Sequence, residues 1–170
     1  WEWMHRTESF YKGNCNLGSL YDVLAKYETS FPETAHRMYF TSNHDENTWN
    51  GTGAEKYGNM LPCLAVFSCT WNGIPLIYSG EEMPNLKRLQ FFEKDAIEWT
   101  DTYQLHDFYK TLLTLRKSNP ALRSADAAVT TFHIITEGGK NIMAYLRKND
   151  FYEVLVFLNL SNEASAFSIK

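Results

Sequence analysis

The chain has 170 residues, a formal net charge of −4, and an aromatic complement of 5 Trp, 10 Tyr and 11 Phe. That length suffices for one core or two small ones. The absence of a basic stripe excludes nucleic acid and an anionic membrane surface as expected partners, and no run approaches the roughly 18 apolar residues of a membrane span.

The chain opens on Trp1-Glu2-Trp3-Met4-His5 rather than on an initiator Met. It therefore reads as a piece of a longer protein, which leaves localisation open. Residues 1–18 read as loop, with Gly13, Asn14, Asn16 and Gly18 interrupting any period. Ser19 is a candidate N-cap for a short amphipathic helix carrying Leu20, Val23, Leu24 and Tyr27. Residues 37–40 form an apolar run that predicts a strand. It stops at Phe40-Thr41-Ser42-Asn43-His44-Asp45, with Glu46 and Asn47 behind. Polar groups crowded at the end of a buried strand are costly unless they are paired or await a ligand, and the carboxyl ends of strands are where α/β proteins build sites. The plainer alternative is an Asx-type turn.

Residues 46–58 are polar and turn-rich and predict a loop. Residues 59–70 are apolar on nearly every face, which predicts a buried helix, with Pro62 tolerable in its first turn and Gly73 as its C′ stop. Residues 74–78 predict a second strand, closed by Ser79-Gly80-Glu81-Glu82. Strand, loop, helix and strand from 37 to 78 make a βαβ pattern, hence parallel pairing. Residues 83–101 are a long connection, and Thr100 or Asp101 is placed to cap a helix with Leu105, Phe108, Tyr109, Leu112 and Leu113 on one face, stopped by Ser118-Asn119-Pro120. Beyond Arg123 the period falls to 2. Segments 130–136, 142–147, 154–158 and 164–169 predict an antiparallel meander, dividing the chain into 1–123 and 124–170. The three cysteines, Cys15, Cys63 and Cys69, have no metal-like spacing and read as buried thiols.

This order of parts resembles the α-amylase family of glycoside hydrolases. The stretch Phe40 to Asp45 is similar to the family's fourth conserved region, at the end of the seventh strand of a (β/α)8 barrel. Gly73-Ile74-Pro75-Leu76-Ile77-Tyr78-Ser79-Gly80-Glu81-Glu82 resembles its eighth-strand motif, with Glu81 where Gln is common. Phe91-Phe92-Glu93-Lys94-Asp95 and Ile97-Glu98-Trp99 resemble the segment that follows. The resemblance implies an α/β fold: a partial (β/α)8 TIM barrel, its last strands and helices in 1–123, followed by an antiparallel β-sandwich-like domain C in 124–170, with fewer strands than such domains commonly have.

It further implies retaining hydrolysis of α-glucans such as starch and maltooligosaccharides. Asp45 would be the transition-state stabiliser, accepting hydrogen bonds from sugar hydroxyls. His44 would donate to the same sugar, and Asn43, the other candidate substrate-binding residue, would sooner support the loop through backbone contacts than touch substrate. The family's nucleophile and general acid lie on earlier strands, so this chain by itself is expected to be inactive and to need the preceding barrel half. Calcium ligands are expected mainly outside this chain, and no cofactor is evident within it. Trp99, Phe91 and Phe92 are expected to pack rather than to serve as sugar platforms, and Glu81 and Glu82 to cap the loop. Two parallel strands with open edges predict self-association, or a core centred on the 124–170 sheet with the barrel part loosely packed. The competing reading is a non-catalytic carbohydrate-binding module presenting Phe132, Tyr145 and Phe157 on one face of that sheet.

Overall fold

The protein is described by a computed structural model covering residues 1–170. Helices α1 (Glu2–Tyr11) and α2 (Leu17–Ser30) come first. The expected loop over 1–18 is therefore corrected. Trp3, Met4, Thr7 and Phe10 recur at helical spacing and are buried. The residues that break the period form the turn after them: Gly13 adopts φ +74°, and the Asn16 side chain, rather than Ser19, caps α2 by accepting from the Ser19 N–H. A Lys26–Glu2 ion pair of 2.8 Å crosses between the two helices.

Strand β1 (Met38–Tyr39) pairs in parallel with β2 (Ile74–Pro75), Met38 opposite Ile74. Both strands are shorter than their apolar runs suggest, but the parallel βαβ pairing is as expected. The intervening residues are not the predicted loop. A π-helical turn (Glu46–Asn50) and helix α3 (Gly53–Tyr57) occupy them, followed by a 3₁₀ turn (Gly58–Met60) and helix α4 (Leu61–Thr70). Helix α3 starts with a reciprocal box: Thr52 Oγ1 accepts from the Glu55 N–H, while Glu55 Oε2 accepts from the Thr52 N–H. Pro62 sits in the first turn of α4, where its missing N–H costs nothing.

Gly73 is not a helix C′ residue, because α4 already leaves the helical region at Trp71. It is glycine for a different reason: a Cβ there would lie 2.4 Å from the Tyr39 ring and 2.7 Å from the Arg37 carbonyl. Arg116 donates to the carbonyls of Cys69, Trp71 and Gly73 and so covers the end of α4 with a cation.

Residues 84–100 are irregular, as expected for the long connection. Helix α5 (His106–Ser118) follows, preceded by Leu105 with no side-chain cap, so neither Thr100 nor Asp101 plays that part. Of its expected apolar face only Tyr109 and Leu112 are buried.

The C-terminal strands are β3 (Thr130–His133), β4 (Thr136–Glu137), β5 (Ile142–Lys148), β6 (Glu153–Asn159) and β7 (Ser168–Ile169). β3, β5 and β6 form an antiparallel sheet in that order, and β4 pairs with β7 as a separate two-residue ladder. The last predicted strand thus shrinks from six residues to two.

Helix α4 joins the two regions. Trp3, Phe67 and Trp71 stack, with centroid separations of 4.3 and 5.1 Å. Tyr39 and Tyr145 meet Phe67 edge-on from opposite elements. Tyr145 Oη also lies 2.6 Å from Thr70 Oγ1, so β5 is bonded to α4 as well as packed on it. One buried cluster runs from Trp3 through Phe67 to Val156 and Leu160, and most of its members precede residue 72. The core is therefore not centred on the C-terminal sheet, and the helices around β1 are its main contributors. Arg147 is fully buried under that sheet, donating to Thr131 Oγ1 and to the carbonyls of Ala121 and Arg123. Burial without a carboxylate partner brings its pKa down to about 10.

Candidate active site at the ends of the parallel strands

Parallel pairing puts the residues after β1 and those after β2 at the same end of the sheet. There the partly buried Glu81 accepts from Thr41 Oγ1 at 2.8 Å and from the Tyr109 hydroxyl at 3.5 Å. It thereby ties the β1 exit to the β2 exit and to α5. Burial is the main influence on Glu81 and raises its pKa to about 7, with the Thr41 hydrogen bond acting against the rise and the nearby Glu82 charge adding to it. Glu81 is thus a strut between elements, a more specific part than loop-capping.

Asn43, His44 and Asp45 occupy the outer side of this junction. Asn43 Oδ1 accepts from the Glu46 N–H at 2.9 Å, and its carbonyl accepts from the Asn47 N–H. This is the Asx-type arrangement, and it starts the π-helical turn in which the Gly51 N–H reaches the Glu46 carbonyl. Single π turns are frequent at functional sites because they displace one side chain from the regular helical row. His44 is exposed and Asp45 half-exposed. The Asp45 carboxylate meets the His44 imidazole at 3.6 Å and accepts no protein hydrogen bond. It is therefore free to accept from a ligand, with His44 beside it as a donor.

Behind Asp45 lies a buried charge cluster that sequence reasoning missed. Lys56, 1% exposed, pairs with the fully buried Glu46 and lies 3.8 Å from Glu8 of α1. Glu46 Oε1 also accepts from Asn50 Nδ2 at 2.9 Å. Thr52-x-x-Glu55 has the pattern of a capping box and could have marked the start of α3, but nothing in it announces the burial of Lys56.

Asn47, also buried, clamps the loop after β2: its Nδ2 donates to the Lys87 carbonyl at 3.0 Å and its Oδ1 accepts from the Leu89 N–H at 2.8 Å. This brings Phe91 against His44, centroids 6.0 Å apart, and next to Trp49 at 5.5 Å. Phe92 is 83% exposed, Trp49 57%, Trp99 51% and Phe91 40%, so the expectation that Phe91, Phe92 and Trp99 are packed is overturned. The clamp presents the 91–92 turn to solvent instead of folding it under.

Of the aromatic face expected of a binding module, the structure keeps only part: Phe132 and Phe157 share the outer face of the sheet, and Tyr145 does not. Tyr145 faces the core, whereas Phe132 and Phe157 are exposed. Pairing of Tyr145 with Val156, and of Ala144 with Phe157, puts Tyr145 and Phe157 on opposite faces of the sheet. No three His, Cys, Asp or Glu side chains are grouped to hold a metal ion, and no helix is long and apolar enough to cross a membrane. Cys15, Cys63 and Cys69 are all free thiols; Cys69 is buried, which raises its pKa to about 11, whereas Cys15 and Cys63 are only partly covered.

Known proteins resemble the chain in sequence and in fold. Alpha-amylase 2 of Dictyoglomus thermophilum is 27% identical over 78% of the chain, and alpha-amylase MalA of Haloarcula japonica 29% over 86%. A cyclomaltodextrinase of a Bacillus species is 28% identical over 81%. The chain resembles the C-terminal part of α-amylase-family proteins. The fold agrees: a noncanonic maltogenic alpha-amylase, AmyB, from Thermotoga neapolitana superposes over 94% of the chain with a TM-score of 0.78 at 20% identity. An alpha-amylase from Lactobacillus plantarum does so over 92% with a TM-score of 0.73, also at 20% identity. No protein-family model matches the chain. The chain spans between a fifth and a quarter of the length of these curated relatives, and about a third of the two solved structures.

Proposed function

We infer that this chain is the C-terminal part of a retaining glycoside hydrolase of the α-amylase family acting on α-glucans, with 1–123 forming the last strands and helices of a (β/α)8 barrel and 124–170 its domain C. The observation that carries this reading is the Asn43-His44-Asp45 cluster at the carboxyl end of one of two parallel strands, its carboxylate free of protein donors. In a retaining glycosidase one carboxylate attacks the anomeric carbon while a second carboxylic acid protonates the departing oxygen. Those two groups belong to the preceding barrel half, the partner this chain requires. Asp45 accepts hydrogen bonds from sugar hydroxyls that strengthen as the ring becomes cationic, and its charge favours that transition state over the ground state. His44 donates to the same sugar. Asn43 holds the turn through the Glu46 N–H. Calcium, where such an enzyme needs it, would be held by the preceding half.

The test has two arms. The 170-residue chain alone is expected to hydrolyse a p-nitrophenyl maltooligoside no faster than buffer. In a longer polypeptide carrying the whole barrel, Asp45→Ala is expected to lower kcat by about 10²–10³ with an unchanged far-UV spectrum. Turnover by the chain alone, or near-normal kcat in the variant, would remove this assignment.

A further inference from the structure

Trp49, Phe91 and Phe92 form an exposed aromatic ledge beside His44, and the proposed chemistry does not use them. Leaving a large apolar ring in water forgoes the free energy its burial would gain. Here three such rings are adjacent: Phe91 and Phe92 centroids lie 4.9 Å apart, and Trp49 is 5.5 Å from the first and 6.2 Å from the second. The ledge is continuous with the candidate site, since His44 stacks on Phe91 at 6.0 Å with an interplanar angle of 28° and also meets Asp45 at 3.6 Å.

Its backbone is pinned. Besides the Asn47 clamp, Thr48 Oγ1 donates to the Leu89 carbonyl at 2.7 Å, Asp95 accepts from both Lys87 and the Gln90 N–H, and Arg88 makes a two-point contact with Glu55 at 2.9 and 3.0 Å. The rings are thus held in place from below while their outer surface stays in water. Stiff rings fixed before a ligand arrives cost little ordering entropy on binding. Their flat apolar surfaces match the C–H face of a pyranose, whose hydroxyls point outward from the ring edge.

We propose that Trp49, Phe91 and Phe92 form a stacking subsite for a glucosyl unit of an α-glucan, beyond the unit that meets His44 and Asp45. This rests on the glycoside hydrolase reading and extends it to where the chain of the substrate runs. The row Asp45, His44, Phe91, Trp49 sets that direction.

The test uses the 170-residue chain in native gels containing soluble starch or hydroxyethylcellulose. The wild type is expected to be retarded by starch and not by the β-linked polymer. Trp49→Ala and Phe92→Ala, both at exposed rings, are each expected to weaken retardation by about fivefold to tenfold with unchanged circular dichroism. Phe151→Ala, an exposed ring on the β5–β6 turn, is expected to change nothing. If both ledge variants are retarded like the wild type, the subsite is overturned and the starch-binding reading survives. If starch retards no protein, the ledge is overturned, and the Asp45 kinetics remain an independent measure of the parent reading. If Trp49→Ala abolishes self-association in sedimentation while leaving starch retardation intact, the ledge is a protein contact and the proposal fails.

Discussion

Glu81 makes the pH dependence of this fold calculable. The residue is partly buried, and desolvation of its carboxyl puts the folded-state pKa near 7 against an ordinary value of 4.5. Between those values the folded protein holds a proton that the unfolded chain has released, so stability falls as pH rises through the window. The contribution is fully present below about pH 4.5 and lost above about pH 7. At about 1.4 kcal/mol per unit, the displacement corresponds to about 3 kcal/mol. Glu81→Gln keeps an oxygen to accept from Thr41 Oγ1 and a group for the Tyr109 hydroxyl, yet it carries no charge at any pH. It is expected to stabilise the protein by about 2–3 kcal/mol at pH 8 and to be near neutral at pH 4.5. Urea unfolding followed by tryptophan fluorescence at pH 4.5, 6, 7 and 8 measures both curves. An equal effect at every pH, or a loss of stability at pH 8, would refute the argument that burial of the charged carboxylate is what costs stability.

Lys56→Met strands the buried Glu46 charge and is expected to cost about 3–5 kcal/mol. Lys56→Met with Glu46→Gln should recover most of that in the same urea titration. Gly73→Ala is expected to cost about 1–3 kcal/mol, read as a lower urea midpoint, because the added Cβ meets the Tyr39 ring and the Arg37 carbonyl, and the carbonyl cannot rotate away. The outer edge of β1 exposes Met38 beside the exposed Trp1 and Phe31, and an open apolar edge invites pairing with another chain. Sedimentation velocity is expected to show self-association that Met38→Lys reduces; a concentration-independent compact monomer would contradict this.

Much of the architecture was legible because it depends on local periodicity. The apolar run of α4, the parallel strands on either side of it, and the switch to period-2 strands after Arg123 all follow from side-chain spacing along one segment. Asn43, His44 and Asp45 stood out for the same kind of reason, as polar residues abruptly ending an apolar run. Helix α1 was also encoded locally, in Trp3, Met4, Thr7 and Phe10, but Thr7 and the glycines and asparagines after it masked the pattern. Only the tertiary structure decided the rest. Lys56 is buried because Glu46 and Glu8 converge on it from other elements, and no spacing within 46–58 announces that. Gly73 owes its identity to a ring 34 positions away, not to a turn. Glu81 becomes a strut, and Trp49 joins Phe91 and Phe92 in a ledge, because parallel pairing brings two strand ends together and Asn47 then holds the distant loop. Local patterns set which residues enter helices and strands; burial, close approach and ion pairing between segments set what the polar and aromatic residues at their ends can do.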